Sequence, residues 1–242
     1  MKTPPVSDRP LGPRVPGWSP PVTPHGIRLI EGRYAVLEPL SADRHAASLF
    51  TAYSGHDHIW DYMPYGPFHS SAQYHRWVKD IVADASHVFL ALRDRQARAY
   101  IGAAAFLRIK PQAGSIELGH ICLAPSGQRS RAATEAFFLM MTWAFEAGYR
   151  RFEWKCDALN LPSRRAAQRL GLSYEGVFRQ ATVVKGRNRD TAWFAAIDTE
   201  WPALKAAFDS WLSPANFDAK GRQIERLSDL TRLVRAASDP AL

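Results

Sequence analysis

Cysteine is scarce in this chain: its 242 residues include only Cys122 and Cys156. Two thiols cannot build a disulfide framework or a zinc ribbon, so both are interpreted as packing residues. His56 and His58, separated by one residue, are too small a set to indicate a metal site. The sequence also shows no internal repeat. We therefore expect a protein of a reduced compartment, without a metal.

Long apolar runs are also missing. The most apolar stretch, residues 132–149, carries Glu135 and Glu146 and is too short and too polar for a membrane span. Met1 and Lys2 run into prolines rather than into an apolar segment, so no secretory signal is expected. These absences exclude the integral-membrane and disulfide-rich secreted classes and predict a cytoplasmic protein.

Acidic residues are outnumbered: 31 lysines and arginines stand against 23 aspartates and glutamates, a net charge of +8. Such a balance fits an anionic partner, such as a multiply phosphorylated ligand, or else an ordinary solvated surface. No nucleic-acid-binding motif accompanies the charge, so a nucleic acid partner is not expected.

Proline is concentrated near the N-terminus, where residues 1–24 hold eight of the seventeen prolines. Proline fixes φ and removes a hydrogen-bond donor, so this segment is predicted to be an extended arm. It either packs on the body through Trp18 and Val22 or is disordered. Residues 25–212 carry the patterned elements of one domain, and residues 213–242 are predicted to be a polar tail, helical or mobile.

Strand-like and helix-like patterns alternate through that domain, in the order β, α, α, β, β, β, α, β, α, β, β. This order favours an α/β fold with one mixed sheet and helices on its faces. A long apolar helix over 131–147 joins strands at 115–123 and 151–156. We expect this β–α–β step to be a right-handed parallel crossover.

The joint between strand 115–123 and the long helix is a candidate anion site. Backbone N–H groups and the dipole at a helix start favour an anion, and arginines add charge-assisted donors for phosphate oxygens. The joint consists of Gln128, Arg129, Ser130, Arg131, Ala132, Ala133 and Thr134. The alternative interpretation is a solvated loop that happens to carry arginines.

Asn160 and Ser163 form a second candidate segment, after the next strand. Both residue types cap helices, and Pro162 fits the first turn of a short helix that ends at Gly171. Their place at the carboxyl end of a strand is also where ligands bind in open α/β sheets.

Several of these motifs occur together in an order that resembles the GNAT acetyltransferase superfamily. They are Glu117-Leu118-Gly119-His120 on a strand, the loop from Gln128 to Ala133, Asn160 to Ser163, and the following run Arg169 to Gly176. The similarity extends over about residues 27–198 and is nearest to the RimJ/RimL-like branch, the ribosomal-protein-alanine acetyltransferases. It implies a mixed, mostly antiparallel sheet with one splayed parallel pair and helices on both faces.

The resemblance also implies acetyl-CoA as cosubstrate. Gln128 and Ala133 match the ends of the family's phosphate loop, whereas Arg131 replaces its central glycine. Asn160 matches the asparagine that contacts the pantetheine arm. Pantetheine then pairs with a strand edge at Ile121, Cys122 and Leu123, where a backbone N–H polarises the thioester carbonyl.

Glu117 is the candidate base that removes a proton from the attacking amine, with His120 as the rival. Strand alternation turns these two side chains to opposite faces unless a bulge intervenes. Ser163 is a candidate proton donor to the leaving thiolate, or only a helix cap. The tyrosine that some relatives use as acid is replaced by Ala167.

An aromatic segment between the first two helices is the candidate acceptor wall. Aromatic rings shape an apolar pocket, and a carboxylate among them holds a cationic amine. The residues are Trp60, Asp61, Tyr62, Tyr65 and Phe68. The same residues equally fit a small satellite core beneath a loop.

The resemblance thus predicts an N-acetyltransferase that moves an acetyl group directly from acetyl-CoA to a primary amine, of a protein N-terminus or of a small molecule. The alternative is a module of the same shape that binds CoA or a peptide without turnover. A homodimer is possible under either hypothesis.

Overall fold

The computed structural model of the protein describes residues 10–242, so the first part of the predicted proline-rich arm lies outside the described residues. A sheet of eight strands runs through the centre, in the order β1-β2-β3-β4-β5-β6-β8-β7. The strands are β1 (Ile30–Glu31), β2 (Ala35–Pro39), β3 (Val88–Asp94), β4 (Ala99–Lys110), β5 (Ser115–Leu123), β6 (Arg151–Asp157), β7 (Ser173–Val184) and β8 (Arg187–Ile197). Strands β5 and β6 are parallel, and the other neighbours are antiparallel.

Helices cover both faces of this sheet, which confirms the predicted α/β class. One face packs against α1 (Ala42–Tyr53) and α2 (Ser71–Ala83). On the other face, α3 (Arg131–Glu146) and α4 (Leu161–Arg169) pack on the sheet, and α5 (Trp201–Leu212) and α6 (Leu227–Thr231) pack on these two helices. Two hydrophobic cores result, one on each face, and we name these the α1 face and the α3 face.

The helix starts follow directly from the sequence. The hydroxyls of Ser41, Ser70 and Ser130 each accept a hydrogen bond from the backbone N–H three residues later, as N-cap residues do. The side chain of Asn160 does the same for α4. The α3 helix is buried nearly all round because it lies between the sheet and α5.

Glu135, the acid within the apolar run, is buried at 4% exposure in α3. Its carboxylate accepts hydrogen bonds from the backbone N–H groups of Arg33, Tyr34 and Ala35 at 2.9, 2.6 and 2.6 Å. These contacts satisfy the backbone N–H donors of the turn between β1 and β2. A side chain at Gly32 would meet Glu135 Oε2 at 2.4 Å, so this turn needs glycine for space.

The edge strand β1 is only Ile30–Glu31, and a 3-10 turn over Pro24–Gly26 precedes it. Strand β7 extends to Val184, so β7 and β8 form a long hairpin. The tip of this hairpin reaches the segment between α1 and α2 through Lys185, which donates to the Trp60 carbonyl at 2.9 Å.

Both terminal segments lie against the domain where they are described. The indole of Trp18 donates to the Gly148 carbonyl at 3.2 Å, whereas Val22 is 70% exposed. In residues 213–242, Leu227 is fully buried and the N–H of Tyr174 donates to the Ala237 carbonyl at 3.2 Å. Within residues 10–242, none of the helices has the length and apolar character needed to cross a bilayer.

Candidate active site

The parallel strands β5 and β6 separate partway along their length. They pair from Ser115 with Arg151 to Leu118 with Trp154, and there the pairing ends. β5 continues to Leu123 and β6 to Asp157. Residues 119–123, including Ile121, Cys122 and Leu123, therefore face an open wedge on the β6 side. A strand edge left without a partner can pair with an extended ligand.

A bulge in β5 lies at the mouth of this wedge. Gly119 pairs with Ala105 and Cys122 with Ala103, so two residues of β5 lie opposite one of β4. One of the two is His120, whose φ is +49°, in the left-handed region. The bulge cancels the alternation of the strand, and Glu117 and His120 both lie on the α1 face.

Glu117 is 2% exposed and is held by two cations. Arg108 Nη1 donates to its Oε1 at 2.7 Å, and Lys155 Nζ lies 2.8 Å from its Oε2. The Lys155 ammonium also contacts Glu153 at 2.7 Å and lies 3.7 Å from the centre of the Trp193 ring. Charged side chains of three neighbouring strands thus form one network on the floor of the α1 face.

His120 lies beside this network among rings. Its Nδ1 is 3.0 Å from the Tyr65 hydroxyl, and its ring stacks on that of Tyr65. Burial, with the nearby charges of His87, Arg108 and Arg189, lowers the pKa of His120 to about 4. The imidazole is therefore neutral at pH 7 and can accept a proton. Burial raises the pKa of Tyr65 well above its usual value, so its phenol keeps its hydrogen.

The start of α3 combines satisfied and unsatisfied backbone donors. The N–H of Gln128 donates to Ala124, that of Ser130 to Gly127, and that of Ala133 to the Ser130 hydroxyl. Within the described chain, no acceptor lies at the N–H groups of Arg129, Arg131 and Ala132. Three free donors at a helix start, next to the wedge, suit an anion.

The side chains of this joint take different directions. The guanidinium of Arg131 lies between the rings of Tyr34 and Phe217, 4.4 and 4.0 Å from their centres. Gln128 Nε2 is 3.4 Å from the Leu123 carbonyl. The Thr134 hydroxyl donates to the Ser130 carbonyl and accepts from Arg169 Nη1, at 3.0 and 3.1 Å. Arg131 therefore offers an anion its backbone N–H rather than its charge.

Asn160 and Ser163 lie at the carboxyl end of β6, beside the wedge. The Asn160 carbonyl oxygen accepts from the Ser163 N–H at 3.1 Å, which leaves the two amide N–H donors of Asn160 for a ligand. The Ser163 hydroxyl accepts from the Trp154 indole at 3.0 Å. Ala167 is fully buried, and its methyl side chain has no proton to donate. Burial raises the pKa of Cys156 to about 11 and keeps it a thiol.

The aromatic segment divides into packed and accessible members. Trp60 is 3% exposed, and its ring packs edge-on against Tyr53 and Phe68. Tyr65 faces His120, and the Tyr62 hydroxyl donates to the Leu159 carbonyl at 3.2 Å. Asp61 is exposed and lies in the same segment. The structure therefore brings Tyr65 to the wedge, places Tyr62 at its rim and leaves Trp60 in the core.

Sequence reasoning missed Arg108, Lys155 and Arg189, which share the α1 face with Glu117. Nothing in the local sequence marks them, because their contacts depend on the register of β4, β6 and β8. Among residues 10–242, no group of three or more His, Cys, Asp or Glu side chains is placed to hold a metal ion.

Comparison with known proteins gives the family. The model of the acetyltransferase (GNAT) domain matches residues 35–173. A GCN5-related N-acetyltransferase from Brucella melitensis is 42% identical, with 90% of this chain and 100% of that chain covered and a TM-score of 0.87. A probable acetyltransferase (GNAT family) from Chromobacterium violaceum is 39% identical over 83% of this chain and 100% of its own, with a TM-score of 0.75.

The structure of the microcin C7 self-immunity acetyltransferase MccE, in complex with acetyl-CoA and AMP, shares the fold. Its TM-score is 0.61 at 18% identity, over 69% of this chain and 93% of that one. No curated protein matches the chain. The family match and the two closely similar structures agree with the splayed strands and the open helix start, and the chain belongs to the GNAT family of N-acetyltransferases.

Proposed function

We propose that this protein transfers an acetyl group from acetyl-CoA directly to a primary amine, without an acyl-enzyme. The observation that carries the proposal is the wedge between β5 and β6, which connects free amides at the start of α3 with the polar α1 face. Acetyl-CoA has the matching order of parts: a diphosphate, a slender amide-bearing arm and a thioester.

The free N–H groups of Arg129, Arg131 and Ala132 would hold the diphosphate. The pantetheine arm would extend along residues 121–123 as an added strand, and the side-chain amide of Asn160 would donate to one of its carbonyls. Gln128, Ser130, Ala133 and Thr134 would shape this loop, since their hydrogen bonds fix its path. The thioester then reaches the bulge at His120.

At the bulge a C–N bond forms as the amine attacks the thioester carbonyl, and the C–S bond breaks. A backbone N–H within residues 121–123 stabilises the negative oxygen. The amine gives its proton to a base, and the thiolate of CoA takes one up. Holding both reactants at the wedge supplies much of the rate.

Two bases are available on the α1 face. Both carboxylate oxygens of Glu117 already face cations, Arg108 and Lys155, so a proton would reach Glu117 through water. His120 is neutral, and its Nε2 can accept directly when Nδ1 donates to the Tyr65 oxygen. We propose His120 as the first acceptor, with Glu117 holding Arg108 in place. Ser163 is the proposed donor to the thiolate, since its hydroxyl accepts from Trp154 and keeps its hydrogen free.

The acceptor would enter over the aromatic segment, with Tyr65, Tyr62 and Asp61 as its wall and Trp60 and Phe68 supporting them from behind. A protein N-terminus, which the resemblance to the RimJ/RimL-like branch implies, and a small-molecule amine both fit this chemistry as acceptor. A cytoplasmic location and a homodimer stay predictions.

The test has two stages. Isothermal titration should show acetyl-CoA binding to the purified chain, and thiol release should then appear with members of an amine panel that includes ribosomal-protein N-terminal peptides. Absence of heat with acetyl-CoA contradicts the proposal. Binding without thiol release for any amine supports instead the non-catalytic module.

Variants separate the candidate groups. We expect His120→Gln and Glu117→Gln to keep acetyl-CoA affinity and to lower kcat, the first by about 10²-fold or more if it is the base. Ser163→Ala should lower kcat without changing the affinity for either substrate. His75→Gln, at a half-exposed position of α2 that pairs only with Asp43, is the matched control for the histidine and should leave all constants unchanged.

A further inference from the structure

On the acceptor side of the wedge, cationic side chains outnumber the carboxylates that pair with them by one. Arg108 and Lys155 are paired with Glu117, and Arg151 contacts both Glu153 and Glu175 at 2.7 and 2.6 Å. Arg189 has no carboxylate within 4.0 Å among the described residues. The floor of this face therefore carries a guanidinium that the protein itself does not neutralise.

Asp190, the neighbour of Arg189 in the chain, is already bound elsewhere. Its Oδ1 accepts from the N–H of Gln180 at 2.7 Å and from Asn188 Nδ2 at 2.9 Å. These bonds hold the bulge of β7 between Phe178 and Thr182, where three residues lie opposite Asp190. Asp190 is held at this bulge and makes no ion pair with Arg189.

Arg189 borders the wedge. The pairing of β6 with β8 ends at Asp157 and Thr191, and Arg189 follows just beyond it. Ala192, Phe194 and Ala196 of β8 belong to the core of the α3 face, so alternation turns Arg189 and Trp193 to the α1 face. Burial lowers the pKa of His120 and raises that of Cys156, and the nearby charge of Arg189 lowers both. His120 and Cys156 lie on the two strands that border the opening.

Two donors on this face lack an acceptor. Arg189 Nε and Trp193 Nε1 are both buried and without a hydrogen-bond partner within the part of the chain that the structure describes. A buried donor without a partner is costly, and sites that bind a polar ligand leave such donors open for it. A guanidinium fork matches the two oxygens of a carboxylate or a phosphate.

We propose that the acceptor amine carries an oxyanion, a carboxylate or a phosphate, that Arg189 binds on the α1 face. This inference rests on the proposed transferase function and names the class of its acceptor. The amine would lie at His120 and the oxyanion at Arg189, on the far side of the wedge opening.

Matched acceptor pairs test this directly. One pair is phenylalanine and 2-phenylethylamine, a second is O-phosphoethanolamine and ethanolamine, and a third is the peptides Ala-Glu-Gly-Phe and Ala-Gln-Gly-Phe with amidated C-termini. We expect kcat/KM to be at least about tenfold higher for the anionic member of one pair, as for a hydrogen bond to a charged group. The pair that shows the preference identifies the source of the oxyanion.

The variant Arg189→Gln should abolish that preference by raising KM for the anionic member, so that the ratio of kcat/KM between the anionic and the neutral member falls to about one. Arg189→Lys should keep part of it. Arg187→Gln, which removes the same charge from an exposed position on the same hairpin, should keep all of it. Thermal melting of each variant verifies folding.

Turnover of amines without any preference for the anionic members would overturn this inference and leave the transferase function intact. An equal loss for both members in Arg189→Gln would also overturn it. A chain that binds no acetyl-CoA, or that acetylates no amine at all, fails at the proposed function itself.

Discussion

Arg164 and Asp239 form a buried ion pair across 75 residues of sequence, with hydrogen bonds of 2.6 and 2.5 Å. The side chains are 8% and 0% exposed. Gln168 adds a contact by accepting from the N–H of Asp239 at 2.7 Å. The pair therefore fixes the C-terminal segment to α4, the helix that begins at Asn160 beside the wedge.

We expect Asp239→Ala to lower the free energy of unfolding by about 3–5 kcal/mol, because it leaves Arg164 buried without its counterion. Urea denaturation measures the change. Asp209→Ala, which breaks the exposed pair with Lys205, is the control and should cost less than about 1 kcal/mol. Equal effects of the two substitutions would show that burial of the Arg164 pair does not matter.

His120 should make stability depend on pH. Its pKa is about 4 in the folded protein against 6.5 for an ordinary histidine, so between these values the unfolded chain binds more protons. The part of the free energy of unfolding that comes from the lowered pKa of His120 is about 3 kcal/mol. It is fully present above pH 6.5 and is lost as the pH drops towards 4.

Urea denaturation of the protein and of His120→Gln between pH 4 and 7 measures this contribution as the difference between two curves. The difference should shrink towards low pH, whereas carboxylates such as Glu153 affect both proteins alike. A difference that stays constant across the range would contradict the lowered pKa.

The backbone N–H of Arg131 can be tested apart from its side chain. Arg131 is the first residue of α3, where proline is tolerated, and Ser130 has ψ of 157°, which suits a residue before proline. Arg131→Ala and Arg131→Pro both lose the stacking on Tyr34 and Phe217, but only the second loses the N–H. We expect acetyl-CoA to bind Arg131→Pro about tenfold more weakly than Arg131→Ala.

Isothermal titration gives the two dissociation constants. If they agree, the N–H of Arg131 does not bind the diphosphate, and the proposed path of the cofactor at the helix start is incorrect.

The β7–β8 hairpin and the loop between β6 and α4 contact the aromatic segment through two hydrogen bonds, from Lys185 to the Trp60 carbonyl and from Tyr62 to the Leu159 carbonyl. Lys185→Met combined with Tyr62→Phe should raise KM for the acceptor by about fivefold or more, since each bond contributes about 0.5–1.5 kcal/mol and about 1.4 kcal/mol is tenfold. The affinity for acetyl-CoA should not change. Steady-state kinetics with the exposed Lys79→Met as control decide whether these contacts shape the acceptor site.

Sequence patterns predict the parts of this fold that depend on neighbours in the chain. Ser41, Ser70 and Ser130 cap helices because capping needs only the next turn, and the crossover around α3 follows from the handedness of β–α–β units. The resemblance to GNAT proteins added the splay of β5 and β6, which no local pattern signals.

Contacts that depend on the register between strands could not be predicted from the sequence. Lys155 reaches Glu117 because β5 and β6 align Leu118 with Trp154, and no residue type announces that alignment. The left-handed φ of His120 is unusual for a residue other than glycine, so the sequence did not predict that a bulge forms there. The pair Arg164 and Asp239 depends on packing between distant segments.

The extra residue in β5 reverses the alternation of its side chains between the two faces of the sheet. Before it, Ile116 and Leu118 point to the α3 face; after it, Cys122 points to the α1 face, in step with Ala103 across the pair. Deleting a single codon at His120 would restore regular alternation and rotate one half of the strand by half a turn. The fold should therefore tolerate substitutions along β5 better than it tolerates the in-frame deletion of one residue from this strand.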